Sequence, residues 1–340
     1  MRVLVTGHNG YIGTVLTPML TDEGFEVSGL DSNWFHGCEF GPQPAAVPTI
    51  DKDYRDVTSA DLEGFEAIVH LANLSNDPLG DLDAELTYDI NHQASVRLAK
   101  AAREAGVSRF VFSSSCSTYG AAGDGFLDET AEFHPVTPYG ESKVWVERDL
   151  NGLASDEFTP TSMRNATAYG ASPRLRLDIV LNNLMGWAVT TGKVVLLSDG
   201  SPWRPMVHVE DICRAFIAAL KAPRETVHKQ AYNVGQTEHN YRIRELAEVV
   251  GEVSGCEVSI ADGASPDKRT YRVDCSKIQR QLDFQPQWDA RSGAQQLYEA
   301  YNQYNMDQQA FDGPLYVRLR RLQELIGGGK LASDLRWITG

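Results

Sequence analysis

At 340 residues the chain is long enough for one large α/β domain with a smaller lobe, and its 42% apolar share is that of an ordinary globular protein, which argues against disorder. A formal charge of -15 argues against a nucleic-acid surface, since phosphate backbones attract basic patches, and leaves room only for a local basic pocket holding one nucleotide. No apolar run reaches transmembrane length, the N-terminus opens on a strand pattern instead of a signal peptide's layout, and Cys38, Cys116, Cys213, Cys256 and Cys275 show neither close pairs nor metal-ligand spacing; the expectation is a cytoplasmic protein without metal, membrane or nucleic-acid partners.

The first predicted strand, Val3 to Val5, runs into a turn with glycine at 7, 10 and 13 and then into a helix-like stretch from Tyr11 to Leu20. A strand that turns sharply into a helix needs one residue without a side chain at the turn, another where backbone approaches a pyrophosphate, and a third where helix packs on strand. The pyrophosphate then rests on unpaired N–H groups at the positive end of the helix. A second apolar run, Glu26 to Leu30, ends in Asp31, the place of a ribose-binding acid. A carboxylate there accepts hydrogen bonds from both ribose hydroxyls and repels a 2′-phosphate, so NAD is favoured over NADP.

Further strands are expected at Ile68 to Ala72 and Phe110 to Ser113, with a helix over Asp83 to Ala105 between them. The alternation predicts a Rossmann-type doubly wound parallel sheet with a smaller C-terminal substrate-binding lobe. Residues 1–160 read as the dinucleotide domain and 161–310 mainly as the substrate lobe, interleaved with the first, with elements at Thr161 to Ala166, Ile179 to Thr191 and Asp211 to Lys221. Residues 311–340 read as a helical tail without an assigned task.

The chemistry is expected in the middle of the chain. Ser115 follows a strand, and Tyr139 and Lys143 stand four apart in a helical stretch, which puts both side chains on one face. An ammonium beside a phenol favours the phenolate, so Tyr139 becomes a usable acid/base, while Ser115 can hold the same substrate oxygen in line.

TGHNGYIG, Asp31, the Asp56-Val57 pair, HLAN at 70–73, Asn91, FSSSCSTYG and YGESK together resemble the extended short-chain dehydrogenase/reductases, and among them the NAD-dependent nucleotide-sugar epimerase/dehydratase family, over most of residues 1–290. The resemblance implies that Ser115, Tyr139 and Lys143 are catalytic. It implies that Gly7, Asn9, Gly10, Tyr11, Ile12, Gly13, Asp31, Asp56, Val57, Leu71, Ala72 and Asn91 serve the cofactor together with Tyr139 and Lys143, with Asp56 and Val57 at the adenine. Asn183 and Leu184 of NNLM are implied at the nucleotide diphosphate, Arg204 at a phosphate and Asp267 at the nucleotide ribose. A homodimer through the helices at Asp83 to Ala105 and Tyr139 to Leu153 is implied as well.

The chain also departs from the family. Ala264-Ser265-Pro266-Asp267 replaces an R-x-G-D, leaving Lys268, Arg269 and Arg272 as candidates for a second phosphate-binding cation, and Thr167 stands where the epimerases usually carry asparagine. Relatives that eliminate water across C5 and C6 carry Asp-Glu directly after the catalytic Ser/Thr; here those positions are Cys116 and Ser117, which lowers the dehydratase reading. A tuned thiol still exchanges protons, so Cys116 stays a candidate. The leading expectation is a nucleotide-sugar epimerase working through a transient 4-keto sugar, followed by a keto-reductase or 4,6-dehydratase. A noncatalytic NAD-sensing protein is the reading from another class, and the intact Ser115, Tyr139 and Lys143 argue against it.

Overall fold

A computed structural model describes residues 1–75, 83–120, 125–196, 198–261 and 270–338. Its main sheet has seven strands, all parallel: β1 (Arg2–Thr6), β2 (Glu26–Leu30), β3 (Thr49–Ile50), β4 (Ala67–His70), β5 (Arg109–Ser115), β6 (Thr159–Asn165) and β7 (Gln230–Val234). They lie in the order β7-β6-β5-β4-β1-β2-β3. From β1 the chain winds outward to β2 and then returns to the other side of β1 as β4, so the carboxyl ends of β1 and β4 flank a topological switch point, where open α/β sheets bind ligands.

Successive residues of β1 point to opposite faces, and Val3, Leu4 and Val5 are all buried because both faces are covered. On one side Val3 and Val5 pack with Leu16 and Leu20 of α1 (Gly13–Asp22) and with Ile212, Phe216 and Leu220 of α5 (Val209–Lys221). On the other, Leu4 and Ile68 meet Leu98 and Ala102 of α2 (84–104) and Val146 and Leu150 of α3 (Pro138–Leu153). Helix α2 begins at Ala84–Thr87, passes through a π-helical stretch at Tyr88–Ala94 and resumes as Ser95–Glu104, so the expected helix forms with a wider turn around Asn91.

The smaller lobe is built from α4 (Val180–Thr191), α6 (Ile243–Ser254) and α7 (Ala290–Gln303) around their own apolar core. Trp203–His208 pairs with Thr167–Tyr169 and Asn240–Arg242 to make its three-stranded sheet. The sheet itself crosses the boundary expected at 160: β6 straddles it and β7 lies beyond it, as does α5, because their apolar residues complete the core of the larger lobe.

The C-terminal tail is not an appendage. Leu322 and Leu325 of α8 (Arg318–Gly327), with Leu331 and Leu335 beyond it, are buried in the same core as Leu4, Leu30 and Ile68. Full burial of an aliphatic side chain is worth about 1.5–3 kcal/mol, so four leucines hold this segment firmly on the larger lobe.

Candidate active site

A cavity of about 800 Å³ opens at the carboxyl ends of the central strands and runs between the two lobes. At its floor Gly7 takes a φ of +73°, its N–H donates to the Leu30 carbonyl at 2.8 Å, and its carbonyl accepts from Gly10 N at 2.9 Å. A Cβ on Gly7 would sit 2.9 Å from the backbone nitrogen of Ala72, and one on Gly13 would run into the Gly7 carbonyl. The turn is therefore closed to any side chain, and Gly10, Tyr11 and Ile12 line the cavity where α1 starts. Asp31 also lines it, accepting from Asn9 N at 3.0 Å and Asn33 N at 2.8 Å. Burial pushes its carboxyl above the usual range, a penalty that two donated ribose hydroxyl bonds would offset. A side-chain-free cradle beside a buried acceptor fits a dinucleotide. Leu71 and Ala72 line the cavity, whereas Asn9 braces the turn from behind through Asp31 and, by its side chain, Asn33 at 2.7 Å.

Ser115 ends β5 and caps the short 3₁₀ turn Cys116–Tyr119, its Oγ accepting from Ser117 N at 3.1 Å. Helix α3 starts cleanly because Thr137 caps it and Pro138 supplies a preset φ at its first position. That start puts Tyr139 in the first turn and Lys143 one turn on, with the Lys143 ammonium 5.5 Å from the Tyr139 ring centroid. Ser115, Tyr139 and Lys143 all face the cavity. Lys143 donates to the Ser113 carbonyl at 2.7 Å and to Asn73 Oδ1 at 2.9 Å, and burial pulls its pKa down to about 7 while Glu147 favours the charged form.

The two residues after Ser115 diverge. Ser117 faces the cavity, and its buried hydroxyl has no hydrogen-bond partner among the described residues. Cys116 corrects the expectation of a proton carrier: it is fully buried in the core on the α1 side, its thiol donates to the Arg164 carbonyl at 3.1 Å, and burial pushes its pKa far up. A neutral thiol turned into the core has no path to a substrate carbon.

On the other lobe Thr167, Asn183, Leu184 and Arg204 reach the same cavity, with Tyr271 beside Arg204. Asp267, Lys268 and Arg269 lie outside the described residues, and Arg272 stacks near the Phe126 and Trp203 rings, at 4.4 and 4.9 Å, instead of lining the cavity. Asp56 and Val57 also lie outside the lining: the exposed Asp56 carboxylate is held by Arg336, and Val57 packs against the core. Asn91 is buried and clamps Leu74, taking its N–H at 2.7 Å and donating to its carbonyl at 3.0 Å, so it shapes the cavity wall without lining it.

The NAD dependent epimerase/dehydratase family profile matches residues 3–235. The chain belongs to that family. It is 29% identical over 327 residues to a UDP-glucose 4-epimerase of Bacillus subtilis (strain 168), covering 87% of this chain and 94% of the relative. Among solved structures it is similar to MoeE5 in complex with UDP-glucuronic acid and NAD, at a TM-score of 0.78 and 26% identity over 89% of this chain and 99% of that one. DesIV, a dTDP-glucose 4,6-dehydratase from Streptomyces venezuelae, matches at a TM-score of 0.78 and 24% identity over 93% and 100%, a likeness of fold. NAD is the cofactor of the family and of this chain.

Residues outside the family motifs complete the site. Arg176 and Asp178 form a buried pair at 2.8 Å in the cavity wall, and Arg176 Nη1 donates to Ser75 Oγ at 3.2 Å. Their signal in the sequence is the run RLRLD, whose alternating charges sit among leucines. Glu147, a further turn along the face of Tyr139 and Lys143, pairs with Arg164 at 2.8 Å beneath the site. Arg318 also lines the cavity, and nothing in local spacing marks it; Asn73, the last residue of HLAN, lines it as well.

Proposed function

We propose that this chain is an NAD-dependent nucleotide-sugar 4-epimerase that works through a transient 4-keto sugar. The observation that carries the reading is the convergence of Ser115, Tyr139 and Lys143 on a cavity whose neighbouring positions, Cys116 and Ser117, offer no carboxylate. The named activity of the Bacillus subtilis relative supports it. NAD supplies the hydride acceptor and donor. Tyr139 takes the proton from the sugar hydroxyl and returns it, Ser115 donates to or accepts from the same oxygen, and the Lys143 ammonium favours the phenolate form during the transfer. Thr167 and Ser117 present hydroxyls to the sugar, while Asn183, Leu184 and Arg204 hold the diphosphate, for which the forked guanidinium is suited. The same reading has the enzyme act in the cytoplasm as a homodimer through α2 and α3, which light scattering of the purified protein checks.

The test is incubation with a panel of UDP-, dTDP-, GDP- and CDP-sugars, products being resolved by NMR. Interconversion of a pair differing only at C4 is expected with no external reductant. A 6-deoxy-4-keto product, or turnover only with added NADH, would overturn the reading.

A further inference from the structure

The wall of the cavity near Asp31 holds three arginines, and two of them are ion-paired. Arg174 is held by Glu39 at 2.6 Å and Arg176 by Asp178 at 2.8 Å. Arg318, the first residue of α8, has no carboxylate within ion-pair distance among the described residues. It is only 2% exposed, yet it borders the cavity. Its guanidinium lies 4.0 Å above the Phe35 ring and Nη2 donates to the Arg174 carbonyl at 2.9 Å, while Nη1 has no hydrogen-bond partner among the described residues. Burial, with Arg176 close by, pulls its pKa down to about 9, while Asp178 at longer range favours the charged form. Burying a cation with no direct ion pair and an unmade hydrogen bond is costly, and α8 is nonetheless pinned in place by its leucines.

An anion that enters the cavity would settle both deficits, and the surroundings say which one. Arg318 stands with Ser32, Trp34 and Phe35, the residues that follow Asp31, in the cavity lining. Arg174, whose carbonyl it holds, donates from Nε to the Asn9 carbonyl of the glycine turn at 3.0 Å. It is thus one side chain removed from the start of α1, where the turn TGHNGYIG supplies backbone N–H groups but no lysine or arginine for a diphosphate. Arg204, the cation on the substrate side, comes from the other lobe.

We propose that Arg318 is a ligand of the dinucleotide's diphosphate, so that the C-terminal segment, beyond the span matched by the family profile, builds part of the NAD site. The proposal rests on the dinucleotide reading of the cavity, and binding of ADP-ribose to the unmodified protein upholds that reading whatever Arg318 does. The experiment compares the full chain, stripped of nucleotide, with Arg318→Met and Arg318→Lys by calorimetric titration with ADP-ribose and, separately, UDP. Arg318→Met should weaken ADP-ribose by about tenfold or more, the scale of one lost charge-assisted contact, and leave UDP within about twofold. Arg318→Lys should recover part of the loss, and the ligand-free Met variant should melt no lower than the parent because the uncompensated charge is gone. Unchanged ADP-ribose affinity would overturn the proposal. A loss confined to UDP would also overturn it, assigning the arginine to the diphosphate of the nucleotide sugar, and a lower melting point with both ligands weakened alike would reduce Arg318 to a packing role.

Discussion

Arg336 lays its guanidinium against the carboxylate of Asp56, with Nη2 2.9 Å from Oδ1, across 280 residues of chain. The hydrogen bonds from Arg336 hold Asp56 below the usual carboxylate range. The same tail sends Trp337 Nε1 to the Ser32 carbonyl at 2.6 Å and receives Arg55 Nη1 on the Asp334 carbonyl at 2.8 Å. An acid expected at the adenine is thereby engaged by the tail, and the edge of the dinucleotide domain is built from both ends of the chain.

The tail should hold by its leucines and not by its ion pair. Arg336 and Asp56 are both exposed, so Arg336→Ala should change stability by less than about 1 kcal/mol. Leu335 is fully buried, and Leu335→Ala should cost about 2–5 kcal/mol. Urea midpoints of the two variants check the contrast, and equal losses would contradict it.

Asp31 should set the choice of cofactor. Its carboxylate is already desolvated and backbone-anchored, so ribose hydroxyls are welcome and a 2′-phosphate is repelled. NAD should bind at least about tenfold better than NADP, the order of one charge-assisted contact, and Asp31→Ala should narrow the gap. Calorimetry with both dinucleotides reads the difference; equal affinities in the unmodified protein would remove Asp31 from this role.

His70 should make the fold sensitive to acid. Ser95 donates to the Asn91 carbonyl at 2.7 Å, so its Oγ accepts from His70 Nε2–H at 2.8 Å, and His70 Nδ1 accepts from Thr6 at 2.7 Å. The ring is neutral, and burial, helped by Lys143, lowers its pKa to about 3. An unfolded histidine titrates near 6.5, so between about 6.5 and 3 the unfolded state binds a proton that the folded state refuses. Stability is therefore intact above this window and falls as pH drops through it, by up to about 1.4 kcal/mol per pH unit from this group. His70→Asn should be less stable at neutral pH but show a shallower acid limb in denaturant midpoints measured from pH 7.5 to 4.5. Parallel limbs would show that His70 contributes nothing to the slope.

What was legible in the sequence was whatever local spacing encodes. The glycine turn is one such feature, since Gly7, Gly10 and Gly13 act within a single turn of chain, and Tyr139 and Lys143 are another, since four residues always share a helix face. Arg318 and Arg336 were hidden because they act on Phe35 and Asp56, hundreds of residues away, through a tail whose docking depends on the finished core. Glu147 continues the face of Lys143, yet the sequence does not mark it, because its partner Arg164 comes from β6. Cys116 is the converse case: it adjoins Ser115 in sequence, but the chain turns there, so Ser115 lines the cavity while Cys116 is buried in the core.

Tyr139 should be separable from folding and from cofactor binding. Its neighbour Lys143 is held by Ser113 and Asn73, so loss of the phenolic hydroxyl leaves the ammonium in place. Tyr139→Phe should keep the melting point and the NAD affinity and lose turnover by about 10²–10⁴-fold, the usual worth of a positioned acid/base. Near-normal turnover on the identified sugar would refute the assignment.

The fate of solvent protons separates the candidate reactions, and the position of Cys116 makes the outcome specific. A 4-epimerase that passes through a 4-keto sugar removes hydride from C4 and returns it to C4, and the only proton that moves is the one shared by Tyr139 and the hydroxyl oxygen. No carbon exchanges with water, so turnover in deuterated water should give product free of carbon-bound deuterium. A dehydratase or an enolising epimerase must instead protonate C3, C5 or C6 from a side chain in contact with the sugar. With Asp-Glu absent after Ser115, Cys116 would have to serve, but its thiol is bonded to the Arg164 carbonyl, pushed far up in pKa and turned into the core. Cys116→Ala should therefore leave turnover within about threefold of the parent, because removing a weak buried donor affects packing more than chemistry. Deuterium at any of those carbons, lost on Cys116→Ala, would overturn both the epimerase reading and the placement of this thiol.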